Sequence, residues 1–319
     1  MAQLQSTGIT GSFALPTTAS SGSVGNVWFN SSINKLQYSY FGGAWTAGGA
    51  LIIARRSPGG AGTNTAALAF GGITYTTLCC TEAYNGTSWS SRGAMNQCSG
   101  DLAGAGTQNA ALAFGGLYGY TATAATEAYD GTSWSAAGTL SCARYGLAGA
   151  GTQNAALAFG GYSSGVRTCT EAYNGSTSIW SSGDAMITAR ERLAGAGTST
   201  SALAFGGLSS IGATVACTEA YNGTTWSAGG ALIVGRSGLA GAGTSNTAAL
   251  AFGGGSPAGT CTEAYNGTSW TAGGAMITAR QQLAGAGTNT AALAFGGNYG
   301  YGSTACTEAY SSGIQVCTL

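Results

Sequence analysis

Histidine is absent from this chain, and charge is scarce: 6% of its 319 residues, ten basic and ten acidic, for a formal net charge of zero. Without imidazole there is no Ser-His-Asp relay, no imidazole base and no histidine metal ligand. Without a basic field nothing draws in nucleic acid or an anionic membrane, so neither is expected as a partner. No apolar run approaches the about 20 residues that cross a bilayer. The opening MAQLQSTGITGSF lacks both the basic end and the apolar centre of a secretory signal. Carboxylate-pair hydrolysis needs two acids placed asymmetrically in a cleft. Outside a repeated set described below, only Asp101, Asp130, Asp184 and Glu191 remain. No catalytic residue, metal or cofactor is therefore expected, and the chain reads as a non-enzyme.

Proline is also rare, at 3 residues, while glycine reaches 57 with no Gly-X-Y period, which excludes collagen. The nine cysteines are odd in number. Five of them, Cys80, Cys169, Cys217, Cys261 and Cys306, occupy one equivalent place in successive repeats, with Ala125 in the sixth. Equivalent positions in neighbouring copies are expected to lie too far apart for a disulfide. Reduced thiols are the expectation, with Cys79–Cys80 and Cys317 as the exceptions to watch.

What the chain does contain is one stretch in six copies. Ala-Phe-Gly-Gly recurs with its phenylalanine at Phe70, Phe114, Phe159, Phe205, Phe252 and Phe295, every 43 to 47 residues. Thr-Glu-Ala-Tyr recurs with tyrosines at Tyr84, Tyr129, Tyr173, Tyr221, Tyr265 and Tyr310. A tryptophan follows five of these, at Trp89, Trp134, Trp180, Trp226 and Trp270, and Trp45 precedes the first full copy. Such a period signals a repeat architecture.

Each copy predicts four strands: Leu-Ala-Gly-Ala-Gly-Thr (Gly60–Thr63 in the earliest), Ala-Ala-Leu-Ala-Phe, Thr-Glu-Ala-Tyr, and one carrying the tryptophan. In the second, Leu68 and Phe70 point one way and Ala67 and Ala69 the other, as closely packed sheets around an axis require. Asn-Gly or Asp-Gly at Asn85, Asp130, Asn174, Asn222 and Asn266 predicts a hairpin turn in which both central residues take positive φ. Four-stranded antiparallel units at this period describe an all-β propeller.

Residues 1–24, with Pro16, read as an extended arm or irregular first strand, and 25–319 as the propeller. Short strands are predicted at Val27–Phe29, Lys35–Tyr40 and Ala44–Ala47. Tyr40 precedes Trp45 by the offset that separates Tyr84 from Trp89, which makes this a divergent first copy. Seven blades are favoured, with Gln315 where a seventh tryptophan would stand. The alternative is six blades, the Trp45 strand closing the last one beside Tyr310.

From tryptophan to the next phenylalanine the spacing is 25 residues, once 26, whereas from phenylalanine to tyrosine it runs 14, 15, 14, 16, 13 and 15. The loop between second and third strands thus varies over a fixed scaffold. In a propeller all these loops share one face, the expected binding surface. They carry Tyr75, Tyr118, Tyr120, Tyr162, Arg167, Tyr299 and Tyr301, suited to a glycan or protein partner.

The diglycines after the second strand, from Gly71–Gly72 to Gly296–Gly297, and the Tyr…Trp pairs resemble the kelch family of β-propellers over about Leu51 to Tyr310. That resemblance implies a binding platform or, in some members, a histidine-ligated copper oxidase, which this chain cannot build. The segment GNVWFNSSINKLQYSY and the near-identical TEAYNGTSW blades resemble virion proteins of tailed bacteriophages, fibre and decoration proteins especially. This implies a structural component of a phage particle, assembled in the host cytoplasm beside other virion proteins, with a host-surface glycan or receptor as the outer partner. A free lectin-like or adhesin-like module is the alternative.

Two repeated sets have competing readings. Glu82, Glu127, Glu171, Glu219, Glu263 and Glu308 accompany Arg55, Arg144, Arg190, Arg236 and Arg280, with Ser99 in the sixth arginine place. Structural ion pairs within or between blades are expected in preference to a cation-binding ring of carboxylates. The tryptophans are expected to pack between sheets, where each buries about 150–250 Å², in preference to stacking on sugars.

Overall fold

The computed structural model describes residues 27–30, 34–255, 259–300 and 302–318. Ala44–Ser311 forms one compact unit, and the described parts of Met1–Gly43 and Ser312–Leu319 form another. The predicted arm at 1–24 lies outside the described residues.

The larger unit is a six-bladed β-propeller of four-stranded antiparallel sheets. The first blade runs Gly59–Gly62, Ala67–Phe70, Thr81–Tyr84 and Trp89–Arg92 from the axis outward. Equivalent inner strands begin the next blades at Ala103, Ala148, Ala194, Ala240 and Ala284. Each inner strand touches the next, and Ala284–Gly287 touches Gly59–Gly62, which closes the ring.

Closure corrects the seven-blade expectation. The outer strand of the sixth blade is Lys35–Ala47, lying beside Thr307–Thr318. Thr46 Oγ1 donates to the Ala309 carbonyl and the Gly48 N–H to the Thr307 carbonyl. Trp45 packs on Tyr310 (ring centroids 5.2 Å apart), so the Tyr40–Trp45 offset does not mark a blade of its own. The two strands predicted at Lys35–Tyr40 and Ala44–Ala47 are one strand. In the smaller unit Val27–Asn30 pairs antiparallel with the start of that strand, Asn30 opposite Lys35.

The blades interlock large against small. All four residues of Ala67–Phe70 are buried. Leu68 and Phe70 pack on Ala111 and Ala113 of the second blade, while Ala67 and Ala69 receive Leu293 and Phe295 of the sixth. Inner strands come closer still: a Cβ on Gly104 would meet the Gly60 carbonyl oxygen and the Phe70 ring, both at 2.6 Å. This is why Ala-Gly-Ala-Gly recurs at the axis.

Thr-Glu-Ala-Tyr places each residue in a separate task. Its threonine accepts the indole N–H of the next blade's tryptophan at 2.9–3.0 Å in all six cases, as Thr81 does from Trp134. Its tyrosine packs on the tryptophan of its own blade, as Tyr129 does on Trp134 at 5.0 Å. The six tryptophans of the blades are buried between sheets.

The Asn-Gly turns differ from expectation. Tyr84 pairs with Trp89, so four residues form the loop. Only Gly86 takes positive φ; Asn85 instead accepts the N–H groups of Thr87 and Ser88 on its side-chain oxygen. This Asx turn makes the asparagine's acceptor, not its tolerance of positive φ, the reason for its place.

Cys79 and Cys98 form a disulfide, so Cys79, one of the expected exceptions to reduced thiols, is oxidised, with Cys98 as the partner that was not foreseen. The spacing argument compared equivalent positions in neighbouring blades. This pair joins non-equivalent ones, the end of a second-to-third-strand loop and the segment crossing to the next blade, which touch in any case: Met95 N–H donates to the Cys79 carbonyl and Ser99 N–H to that of Leu78. Cys80, Cys169, Cys217, Cys261 and Cys306 remain free and half-buried.

Candidate functional site

Strand direction puts two sets of connections on one end of the propeller. The loops joining second to third strands emerge there, and so do the crossover segments that run from each outer strand to the next inner strand. This end is the loop face. The diglycine that starts each loop is forced: Gly71 and Gly72 have φ of +63° and +101°, and the Gly72 N–H donates to the Ser99 carbonyl of the crossover at 2.8 Å.

The crossovers are held by the repeated ion pairs. Arg55, Arg144, Arg190, Arg236 and Arg280 pair with Glu82, Glu171, Glu219, Glu263 and Glu308, each within one blade and fully buried. Glu219 shows the full pattern, accepting the N–H groups of Ile187 and Thr188 and the Arg190 guanidinium. Burial pulls the Arg190 pKa below its ordinary value against the opposing pull of Glu219. Glu127 stands apart, bonded to Asn96 and Gln97 with Ser99 in the arginine place.

The loop residues separate into two groups. Tyr75 (100% exposed), Tyr120 (99%), Tyr299 (67%) and Tyr118 (57%) project from the loop face. Tyr118 and Tyr120 sit at the tip of a small hairpin, Leu117–Tyr118 with Thr121–Ala122. Tyr162 is half-buried and stacks on Tyr145 at 5.4 Å. Arg167 bends back to Ser164 Oγ at 3.0 Å. Neither is presented outward as the tyrosine tips are. Tyr301 lies outside the described residues.

Two grooves run between these loops. One, of about 490 Å³, is lined by Ala54, Arg56, Thr74, Tyr75, Gly302 and Ser303 where the first and sixth blades meet. Another, of about 320 Å³, reaches from Gly254 to Tyr299 between the fifth and sixth.

Sequence reasoning missed two features of this face. Ile52, Ile187, Ile233 and Ile277, seven residues after their tryptophans, are each more than half exposed. One stands on each of the first, fourth, fifth and sixth blades, with Asn96 and Ser141 at the same place in the second and third.

The second feature is at the mouth of the central channel. Twelve residues after each tryptophan stand Ser57, Asp101, Gly146, Arg192, Gly238 and Gln282, all at φ between +50° and +61°. Each donates its N–H to the carbonyl of the residue before it in the ring, Ser57 to Gln282 and Asp101 to Ser57 among them, at 2.6–3.1 Å. The six bonds form a closed circle around a cavity of about 90 Å³. The one signal in the sequence was a column whose residues interchange freely and include two glycines. Nearby, burial raises the Glu191 pKa, opposed by Arg192 and reinforced by Asp101. Tyr145 is raised too, by burial and then by Glu191.

Among the described residues no three His, Cys, Asp or Glu side chains gather as a metal site would require, and no helix is long and apolar enough to cross a membrane. Neither the known protein families nor the curated proteins contain a match to this chain.

Proposed function

We infer that this chain is a non-enzymatic binding propeller of a bacteriophage particle, a decoration or fibre component whose loop face meets a host-surface glycan or receptor. The carrying observation is the asymmetry of the two ends. Tyr75, Tyr118, Tyr120 and Tyr299 project from one end, which also exposes Ile52, Ile187, Ile233 and Ile277. The other carries short Asx turns closed on themselves, as at Asn85, Asp130 and Asn266. A flat amphipathic ring with few rotatable bonds binds sugars and proteins at low entropic cost. The kelch-like diglycines and the phage-like Thr-Glu-Ala-Tyr-Asn-Gly-Thr-Ser-Trp blades support the family and the virion setting. The scarcity of charge and lack of histidine support binding over catalysis.

Two measurements test this. Mass spectrometry of washed particles is expected to detect the chain, and its absence sinks the virion reading in favour of a free lectin-like module. Changing Tyr75, Tyr118, Tyr120 and Tyr299 together to Ser is expected to reduce binding of the purified chain to host cells at least about tenfold. Stability should stay within about 2 kcal/mol, since exposed loop changes are individually small. Undiminished binding by a folded variant removes the tyrosines from the site.

A further inference from the structure

Five blades contain a built cation site, and the second blade keeps that site without its arginine. In the fourth blade the Arg190 guanidinium donates to Glu219 at 2.9 Å and to the carbonyls of Gly206 (3.2 Å), Cys217 (2.6 Å) and Ala204 (3.3 Å). The matching residues of the second blade are Glu127, Gly115, Ala125 and Ala113, and Ser99 stands where arginine does elsewhere. These five help to line a small cavity with room for one water-sized particle. Ala125 adds to the room, since the other five blades have cysteine there.

Glu127 is 5% exposed. It accepts the N–H groups of Asn96 and Gln97, both at 2.8 Å, and the Asn96 amide at 2.9 Å. These dipoles orient the carboxylate, and none brings a positive charge. A buried carboxylate with no counter-charge is strongly disfavoured in a low-dielectric interior.

We propose that the second blade binds a compact monovalent cation, potassium or ammonium, between the Glu127 carboxylate and the carbonyls of Gly115 and Ala125. Both ions are about the size of a water molecule, which is what the cavity admits. Carbonyl oxygens replace the hydration shell of such an ion, and one carboxylate balances one positive charge. A divalent ion would be left with a positive charge unbalanced by the single carboxylate, and magnesium would keep waters for which the cavity has no room.

The test is thermal melting of the full chain in tetramethylammonium chloride, exchanged at constant ionic strength for potassium or ammonium chloride. Tetramethylammonium is too large for the cavity. The melting temperature is expected to rise with potassium or ammonium and then saturate, as for any ligand of the folded state alone. The salt with the lower half-saturation identifies the preferred ion. Ser99→Arg, which supplies the siblings' own cation, is expected to melt higher than the parent in tetramethylammonium and to lose the response. Glu127→Gln keeps the shape without the charge and is expected to lose the response too, which covers the case of a misfolded Ser99→Arg. Identical melting of the parent in all three salts overturns the proposal, as does a full response in either folded variant. Crystals soaked in thallium(I), a heavy stand-in for potassium, locate the ion: the anomalous peak belongs between Glu127 and the Gly115 carbonyl, and a peak found only elsewhere also overturns it.

Discussion

The second blade and its five siblings anchor the same crossover segment with different chemistry. In the siblings a fully buried arginine reaches from the crossover to a glutamate on the third strand of the blade being entered. The crossover into the second blade carries Ser99 instead, and the residue before it, Cys98, is bonded to Cys79 of the first blade. So the covalent tie points backward to the blade being left, where the ion pair points forward. The glutamate keeps the same two backbone bonds, from Asn96 and Gln97 as from Ile187 and Thr188 in the fourth blade, and gains one from the Asn96 side-chain amide. One substitution is thus accompanied by three neighbouring ones: Asn96, Cys98 and Ala125 stand where most siblings carry isoleucine, alanine and cysteine. Position, rather than any one interaction, is what the repeat keeps constant.

The largest way to sharpen this contrast is to strip a sibling of its arginine. Arg280→Ala leaves Glu308 buried without its ion pair, and removing one partner of such a pair costs about 3–5 kcal/mol. Ser99→Ala, at the same place in the second blade, removes a hydroxyl 3.2 Å from the Gly115 carbonyl, worth about 0.5–1.5 kcal/mol. Urea unfolding of the two variants should separate them clearly; equal losses would mean that the arginines are dispensable.

The next effect belongs to the disulfide. Cys98→Ala opens a covalent loop spanning 19 residues, expected to cost about 3 kcal/mol. Excess reductant should bring the parent down to the level of the variant. Cys80→Ala, its free neighbour, should respond to neither. If reductant leaves the parent's unfolding midpoint unmoved, the crossover into the second blade has no covalent anchor.

Much of this frame was legible in the sequence, because the blades are built from side chains repeating at fixed spacing. Leu68 and Phe70 against Ala67 and Ala69 announced a sheet packed on both faces. What escaped depended on partners that sequence spacing does not reveal. Tyr40 and Tyr310 were both available to Trp45, and the nearer one imitated a blade. The channel-mouth ring is made by backbone N–H and C=O groups, so Ser57, Asp101 and Gly146 satisfy it equally and leave no consensus. Cys79 stood out beside Cys80, but its partner Cys98 occupies a different position of the repeat, and comparing like with like passed over the pair. Of the loop tyrosines, the sequence named Tyr75 and Tyr162 alike. Only the fold distinguishes a side chain at a loop tip from one stacked on Tyr145.

The smallest effect asks how far the second blade's departure extends. Its seam with the first blade shows none of it: Trp134 donates to Thr81 at 2.9 Å and lies 5.0 Å from Phe70. The seam between third and fourth blades has matching distances, with Trp226 donating to Thr170 at 2.9 Å and lying 5.1 Å from Phe159. Thr81→Val and Thr170→Val each leave a buried indole N–H without an acceptor, for about 1–2 kcal/mol. The two costs should agree to within about 0.5 kcal/mol, the scatter expected of independent sites. Agreement by urea unfolding confines the difference between the blades to the crossover. A much larger loss at Thr81 would mean that the seam had become the second blade's main anchor, the arginine's role having passed to the tryptophan.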